Sequence, residues 1–395
     1  MNGPAKVDGP AAGEDAVKLT SYFGERRRTP GPGGAGFAAD ALLDLYGRQQ
    51  VAASILLRGV EGFGARKHPR TDRSLTLSED LPLVAVAIDR RPRIEALVEP
   101  TARITGTGLV TLERARLLAG DVEPVTLREG MHEETKLTVY LGRQERVYRV
   151  PAFVAVCDLL HRRGVAGATV LLGVDGTTHG TRQRAAFFSR NAGTPMMIIA
   201  VGAGERIARV LPELGGLLRH PLLTLERVRI CKRDGELLGP PPAVPGNGDA
   251  GMPVWHKLMV YTSEAALHQG QPIHRAIVRR LRAAGISGAT TQRGVWGFHG
   301  DHAPHGDRLL QLGRRVPAVT VVIDAPHRIA TAFAIIDELT AQQGLVTSEA
   351  VPALRGTAKG WLNRHRRHVS RQRPAGRVTP YFVTVSGCLA DVDAL

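Results

Sequence analysis

Apolar and polar positions along the chain alternate between two periods, and the middle third shows this best. Lys136–Leu141 alternates with period two, the pattern of a half-buried strand. Pro151–Arg163 (PAFVAVCDLLHRR) has apolar residues at helical spacing, with Pro151 at its start and Gly164 just past its end. Ala168–Leu172 and Met196–Val201 read as strands, with a long polar loop over residues 173–194 between them. Glu205–Leu218 is a second helical stretch, and Leu222–Ile230 a closing strand. The predicted order is β-α-β-β-α-β.

The same order occurs three times. Lys18-Leu-Thr-Ser-Tyr22 recurs as Lys136-Leu-Thr-Val-Tyr140 and as Lys257-Leu-Met-Val-Tyr261. Arg58-Gly-Val-Glu-Gly62 is matched by Leu172-Gly-Val-Asp-Gly176 and Arg293-Gly-Val-Trp-Gly297. A proline then opens an apolar run at Pro82, Pro195 and Pro317, and the last landmark ends on Glu113, Glu226 and Glu349. From Gly59, Gly173 and Gly294 to those prolines the distance is 23, 22 and 23 residues. From the prolines to Thr111, Thr224 and Thr347 it is 29, 29 and 30. Ordered landmarks at fixed intervals define three tandem units, at 18–118, 135–234 and 256–355. They lie between a flexible N-terminus (1–17) and a basic C-terminal tail (356–395), and the connector Gly239–Gly248 is rich in Gly and Pro.

The order β-α-β-β-α-β is that of a ferredoxin-like unit in an α+β fold. Two helices cover one face of a four-stranded antiparallel sheet, so the other face should alternate if it were wet. Val84–Ile88, Met196–Val201 and Val319–Ile323 are instead apolar at nearly every position. Both faces must be buried, and the surface available to bury the second is that of the sibling units. The expectation is an intrachain pseudo-trimer: one monomeric chain in which the three sheets close on one another.

Composition narrows the function classes. Of 52 basic residues only seven are lysine, and 37 acidic residues leave a net charge of +15. This field attracts anions in general without naming one. No apolar run reaches the ~18 residues of a membrane span, and the N-terminus lacks the apolar stretch of a secretory signal, so the expected location is cytoplasmic. Three cysteines (Cys157, Cys231, Cys388) do not make a disulfide scaffold. There is no nucleophile elbow, P-loop, H-E-x-x-H or paired-carboxylate motif, so no enzyme and no cofactor are expected.

The K-L-T-x-Y strand, the G-x-E-G-F-G segment Gly59–Gly64 and the Asp80-Leu-Pro-Leu-Val84 strand resemble the PII-like family catalogued as domain of unknown function 190, similar in fold to the GlnB-type PII regulators. All three units carry the resemblance. Unit two departs most, with Leu172 in place of Arg58 and Arg293. The resemblance implies clefts between units that bind a small anionic ligand, an adenine nucleotide among the candidates. It also implies long loops (roughly 60–81, 174–194 and 295–316) that signal to a partner such as a membrane transporter or channel. The second phosphate loop of nucleotide-binding PII proteins has a lysine that Thr105–Leu109, Arg219–Leu222 and Gln342–Leu345 all lack, so a smaller or differently charged ligand fits the resemblance at least as well as a triphosphate.

The candidate ligand residues are Arg58, Gly59, Gly62 and Gly64; Gly173, Asp175 and Gly176; and Arg293, Gly294 and Gly297. Glycines let successive N–H groups converge on an anion, and arginine grips phosphate or carboxylate through two parallel bonds. Fusion frees the clefts to diverge, so unequal sites are expected. Two rival readings use other residues. RNA-recognition modules share the strand order but stack bases on sheet aromatics, which Ala53–Arg58 and Leu83–Ile88 lack, and this argues against nucleic acid. A metal-responsive protein would use His299, His302 and His305 near Asp301. The recurrent Glu113, Glu226 and Glu349 read as anchors of a strand end, and Trp361–His368 in the tail as a basic segment suited to an acidic partner.

Overall fold

A computed structural model describes residues 13–29, 36–64, 70–71, 80–120, 122, 124, 134–178, 180–184, 194–243, 252–299, 304–306 and 316–355. The basic tail, most of the N-terminus, His302 and Cys388 lie outside the described residues. The protein is a mixed α/β structure with six helices among the described residues and a large antiparallel sheet of 20 strands.

The first repeat runs β1 (Glu14–Gly24), α1 (Ala38–Arg48), β2 (Ala53–Arg58), β3 (Glu61–Phe63), β4 (Pro82–Arg90), α2 (Arg91–Thr105) and β5 (Leu109–Ala119). The second runs β6 (Thr135–Gly142), α3 (Ala152–Arg162), β7 (Gly167–Leu172), β8 (Asp175–Thr178), β9 (Pro195–Gly202), α4 (Gly204–Leu217) and β10 (Leu222–Arg227), extended by β11 (Arg229–Arg233). The third runs β12 (Val254–Ser263), α5 (Ile273–Ala283), β13 (Ala289–Arg293), β14 (Trp296–His299), β15 (Pro317–Asp324), α6 (Pro326–Leu339) and β16 (Leu345–Arg355). Strand order is the same in each: β2-β4-β1-β5, β7-β9-β6-β10 and β13-β15-β12-β16, antiparallel throughout.

Two features of the second repeat differ from the pattern reading. The segment 173–194 is not loop throughout, since β8 lies within it. The closing strand is interrupted at Val228, and β11 then leaves the second repeat to pair with β16 of the third. Helix ends follow the signals: Pro151 occupies the N-cap of α3, and Gly164 behind it adopts φ +68°, a left-handed conformation that suits glycine.

Pairing does not stop at repeat boundaries. β8 of the second repeat adds to β2 of the first, β14 of the third to β7 of the second, and β3 of the first to β13 of the third. The last strands join as well, β5 to β10 and β16 to β5. Side chains on the two faces of the apolar strands go to different cores, as period two requires. Leu83, Ala85 and Ala87 pack with Leu42, Leu43, Ile94 and Leu97 of α1 and α2. Val84, Val86 and Ile88 meet Met197, Ile199 and Val201 of the second repeat and Val319, Val321 and Ile323 of the third in one shared cluster. With β2 and β4 buried on both faces, the first repeat offers no open sheet on which bases could stack.

Candidate functional site

The residues after each second strand form a seam between repeats. Gly59, Gly173 and Gly294 each donate their N–H to the carbonyl of the landmark proline, Pro82, Pro195 and Pro317, at 2.8, 2.9 and 2.7 Å. The next amides cross to the neighbouring repeat: Val60 to Thr291, Val174 to Leu56 and Val295 to Val170, each at 2.8 Å. Gly62, Gly176 and Gly297 then lie against the neighbour's backbone. A Cβ at these positions would stand 2.5 Å from the Ala289 carbonyl, 2.2 Å from that of Ser54 and 2.3 Å from that of Ala168. Only a residue without a side chain permits that approach. The glycines therefore serve strand exchange, and the amides of Gly59, Gly173 and Gly294 are already bonded to carbonyls rather than turned to an anion. Gly64 has open space around its α-carbon.

The arginines sit at the rim of the same seams. Arg58 Nη2 donates to Glu25 Oε2 at 3.0 Å, and Arg293 Nη2 to Glu264 Oε1 at 2.6 Å. The second repeat has Leu172 at the arginine position and Arg143 at the glutamate position, so the pair is lost as a unit. Asp175 is buried, its Oδ1 accepting from the N–H of Gly176 at 2.7 Å. Its counterparts reach the neighbour's first helix: Glu61 lies 3.8 Å from Arg275 on α5, and Trp296 packs edge-on against Phe153 on α3.

Sequence reasoning overlooked a second constellation at the meeting point of the repeats. Lys18, Lys136 and Lys257 lie directly opposite Glu113, Glu226 and Glu349 in the strand register, and all six are buried. The contacts link repeats. Lys18 pairs with Glu113 at 2.8 Å and donates to Glu226 of the second repeat. Lys136 pairs with Glu226 at 2.9 Å and donates to Glu349 of the third. Lys257 reaches Glu113 of the first at 2.8 Å. Threonines complete two of the three corners: Thr20 and Thr111 donate to Glu113 at 3.1 and 3.2 Å, Thr138 and Thr224 to Glu226 at 3.4 and 3.3 Å. In the third repeat Met259 replaces the first of these threonines. The signal was a lysine inside an apolar strand, always matched by a glutamate on the last strand. Its meaning needs the cross-strand register.

The charges are strongly coupled. Burial alone would raise the carboxyl pKa of Glu113, but Lys18, Lys257 and Lys136 overcome it and hold the group well below its ordinary value. Glu226 is also lowered, with burial opposed by Lys136 and Lys18. Burial pushes Lys18 down, but Glu113 and Glu226 outweigh it and the pKa ends well above 10.5. Lys136 ends below 10.5, with burial and the other two lysines outweighing Glu226 and Glu349. Carboxyls with a folded pKa below the unfolded one add stability that is complete above the unfolded value, near 4.5, and lost as pH falls through the folded values. Denaturant midpoints should therefore show no loss from these groups down to about pH 5 and should fall steeply below it. An acid limb unchanged by substituting Glu113 with Gln would overturn this attribution.

The three carboxylates offer oxygens within 4.8 Å of one another, as a cation site would. Three ammonium groups already match their charge, so a metal would have to displace lysine. Among the described residues no such group includes a loop histidine; His299 pairs instead with Asp234, Nε2 to Oδ1 at 2.5 Å. Cys157 and Cys231 are buried, and burial pushes the Cys231 thiol up to about 12, which makes it a poor nucleophile. No described helix is long and apolar enough to cross a membrane.

The chain is 28% identical over 98 residues to a UPF0166 protein of Aquifex aeolicus (strain VF5), a match covering 25% of this chain and 90% of that protein. A fold comparison aligns it with the crystal structure of an aspartate kinase from Synechocystis at a TM-score of 0.21 and 12% identity, over 93% of this chain and only 56% of the kinase, so the chain spans about half of that protein. One family profile matches three times in succession, over residues 16–117, 134–230 and 255–353. These three profile matches, which together cover most of the chain, make it a member of the family described as Uncharacterized ACR, COG1993, the PII-like domain of unknown function 190, in three tandem copies.

Proposed function

We propose that the chain is a non-catalytic, PII-like regulatory protein. Its three ferredoxin-like units close into an intrachain pseudo-trimer, and a small anionic ligand binds in the crevices between units. The observation that carries this reading is the exchange of short strands. The segment that leaves each second strand lies on the neighbouring repeat before it enters the long loop. A ligand wedged at that seam touches two repeats and the root of a loop together, so it shifts loop populations by its differential affinity for them. A partner such as a transporter or channel then reads the loop state.

The geometry favours Arg58 and Arg293 as the anion-gripping groups. Both are side chains at the seam rim, each paired with a glutamate that a ligand carboxylate or phosphate can replace. The second repeat lacks that pair and is the silent crevice. Calorimetry of the full chain against adenine nucleotides and small organic anions tests this. The expected result is at most two sites, each weakened about tenfold or more by removing its arginine, the worth of one charge-assisted hydrogen bond. Three equal sites would contradict the asymmetry, and no binding to any anion would remove the sensor reading.

A further inference from the structure

Where the three repeats meet, beside the Lys/Glu corner, lies a cavity of about 30 Å³, room for about one water-sized species. Its polar lining comes from Lys18, Lys136, Lys257, Gln292 and two threonines, and no carboxylate lines it. The remaining wall is aliphatic, thioether and tyrosine.

Hydrogen-bond capacity at this point is unbalanced toward donors. Three ammonium groups carry nine N–H bonds, and they make five carboxylate contacts, of which Lys257 makes a single one. Gln292 is 4% exposed and its Nε2 has no hydrogen-bond partner. The matching residues of the other repeats are Leu57 and Leu171, so the third repeat has put an amide where apolar side chains suffice. A buried amide donor without an acceptor carries an uncompensated desolvation penalty. Met259 stands in the same repeat in place of Thr20 and Thr138, exchanging a hydroxyl for a polarisable thioether. A cavity rich in donors, with soft apolar walls and no carboxylate, suits a species that only accepts.

We propose that this cavity binds one small, weakly hydrated monovalent anion of halide size, held by Gln292 Nε2 and the Lys257 ammonium. A phosphate or nucleotide is too large for it, so the site is separate from the crevices and does not depend on their ligand. Negative charge is also favoured beside Lys136, whose charged form is disfavoured by burial and by the neighbouring lysines. Large halides should bind better than fluoride, because the apolar wall replaces little of the hydration that fluoride loses.

The test uses the full chain with sodium bromide. Crystals grown with bromide should show an anomalous peak in the cavity next to Gln292. In solution, bromide should raise Tm saturably, by about 2–4 °C, beyond fluoride at equal ionic strength. Gln292→Leu, which installs the residue type of the other two repeats, should fold normally and lose both signals. A cavity holding only water, a peak that survives Gln292→Leu, or a Tm that follows ionic strength alone would overturn the proposal.

Discussion

Replacing Lys136 by Met should cost about 3–5 kcal/mol of folding stability at neutral pH, among the largest effects of any single substitution in the chain. The side chain is 1% exposed and lies between Glu226 of its own repeat and Glu349 of the next. Coulomb attraction does not make such a ring stable in itself, because removing each ion from water costs several kcal/mol. The loss on substitution comes from stranding the partners: Glu226 keeps Lys18, whereas Glu349 loses its only cation partner among the described residues. One further measurement separates this from lost packing, since Met roughly preserves the volume: the double variant with Glu349→Gln should recover part of the deficit, read by denaturant unfolding. A loss under about 1 kcal/mol would place the ring among hydrated surface pairs.

How much of this was legible in the sequence depends on whether the signal was local. Apart from the closing strand, which stops at Arg227, and the short strand inside 173–194, the predicted strands and helices of the second repeat fall within one residue of those observed, because period and punctuation are local properties. The double burial of Val84–Ile88 was legible too, since a strand apolar on both faces has to be covered twice. The short exchanged strands were not. Asp175–Thr178 is Asp-Gly-Thr-Thr, with no alternation to detect, and its partner Ala53–Leu56 is more than a hundred residues earlier. The glycines carry a signal of the same non-local kind: an anion nest and a close strand approach both demand a missing side chain, and spacing cannot distinguish them. The replacement of Arg58 by Leu172 was visible when the repeats were set side by side, and the matching change of Glu25 to Arg143 passed without notice. It acquires meaning only once those side chains are known to touch. The Lys/Glu corner was hidden most completely, because each charge taken singly resembles a strand-end residue.

The seam gives the second large effect. Gly176→Val should destabilise the protein by about 3 kcal/mol, at the upper end of what overpacking costs. A Cβ there would meet the Ser54 carbonyl at 2.2 Å and Pro195 Cγ at 2.7 Å, and neither backbone nor a ring proline can swing aside as a flexible side chain does. Relief requires Asp175–Thr178 to lift from Ala53–Leu56, which would break the ladder that joins the second repeat to the first. Gly64→Val provides the control, because nothing lies within 4 Å of its Cβ position, and it should stay within about 0.5 kcal/mol of the wild type. Hydrogen exchange gives the local readout. The Val174 amide, which donates to Leu56, should lose protection in Gly176→Val well before amides of the shared core such as Val86. Unfolding indistinguishable from wild type would mean that the exchanged strand contributes little. The proposed route from crevice to loop would then lack its mechanical connection.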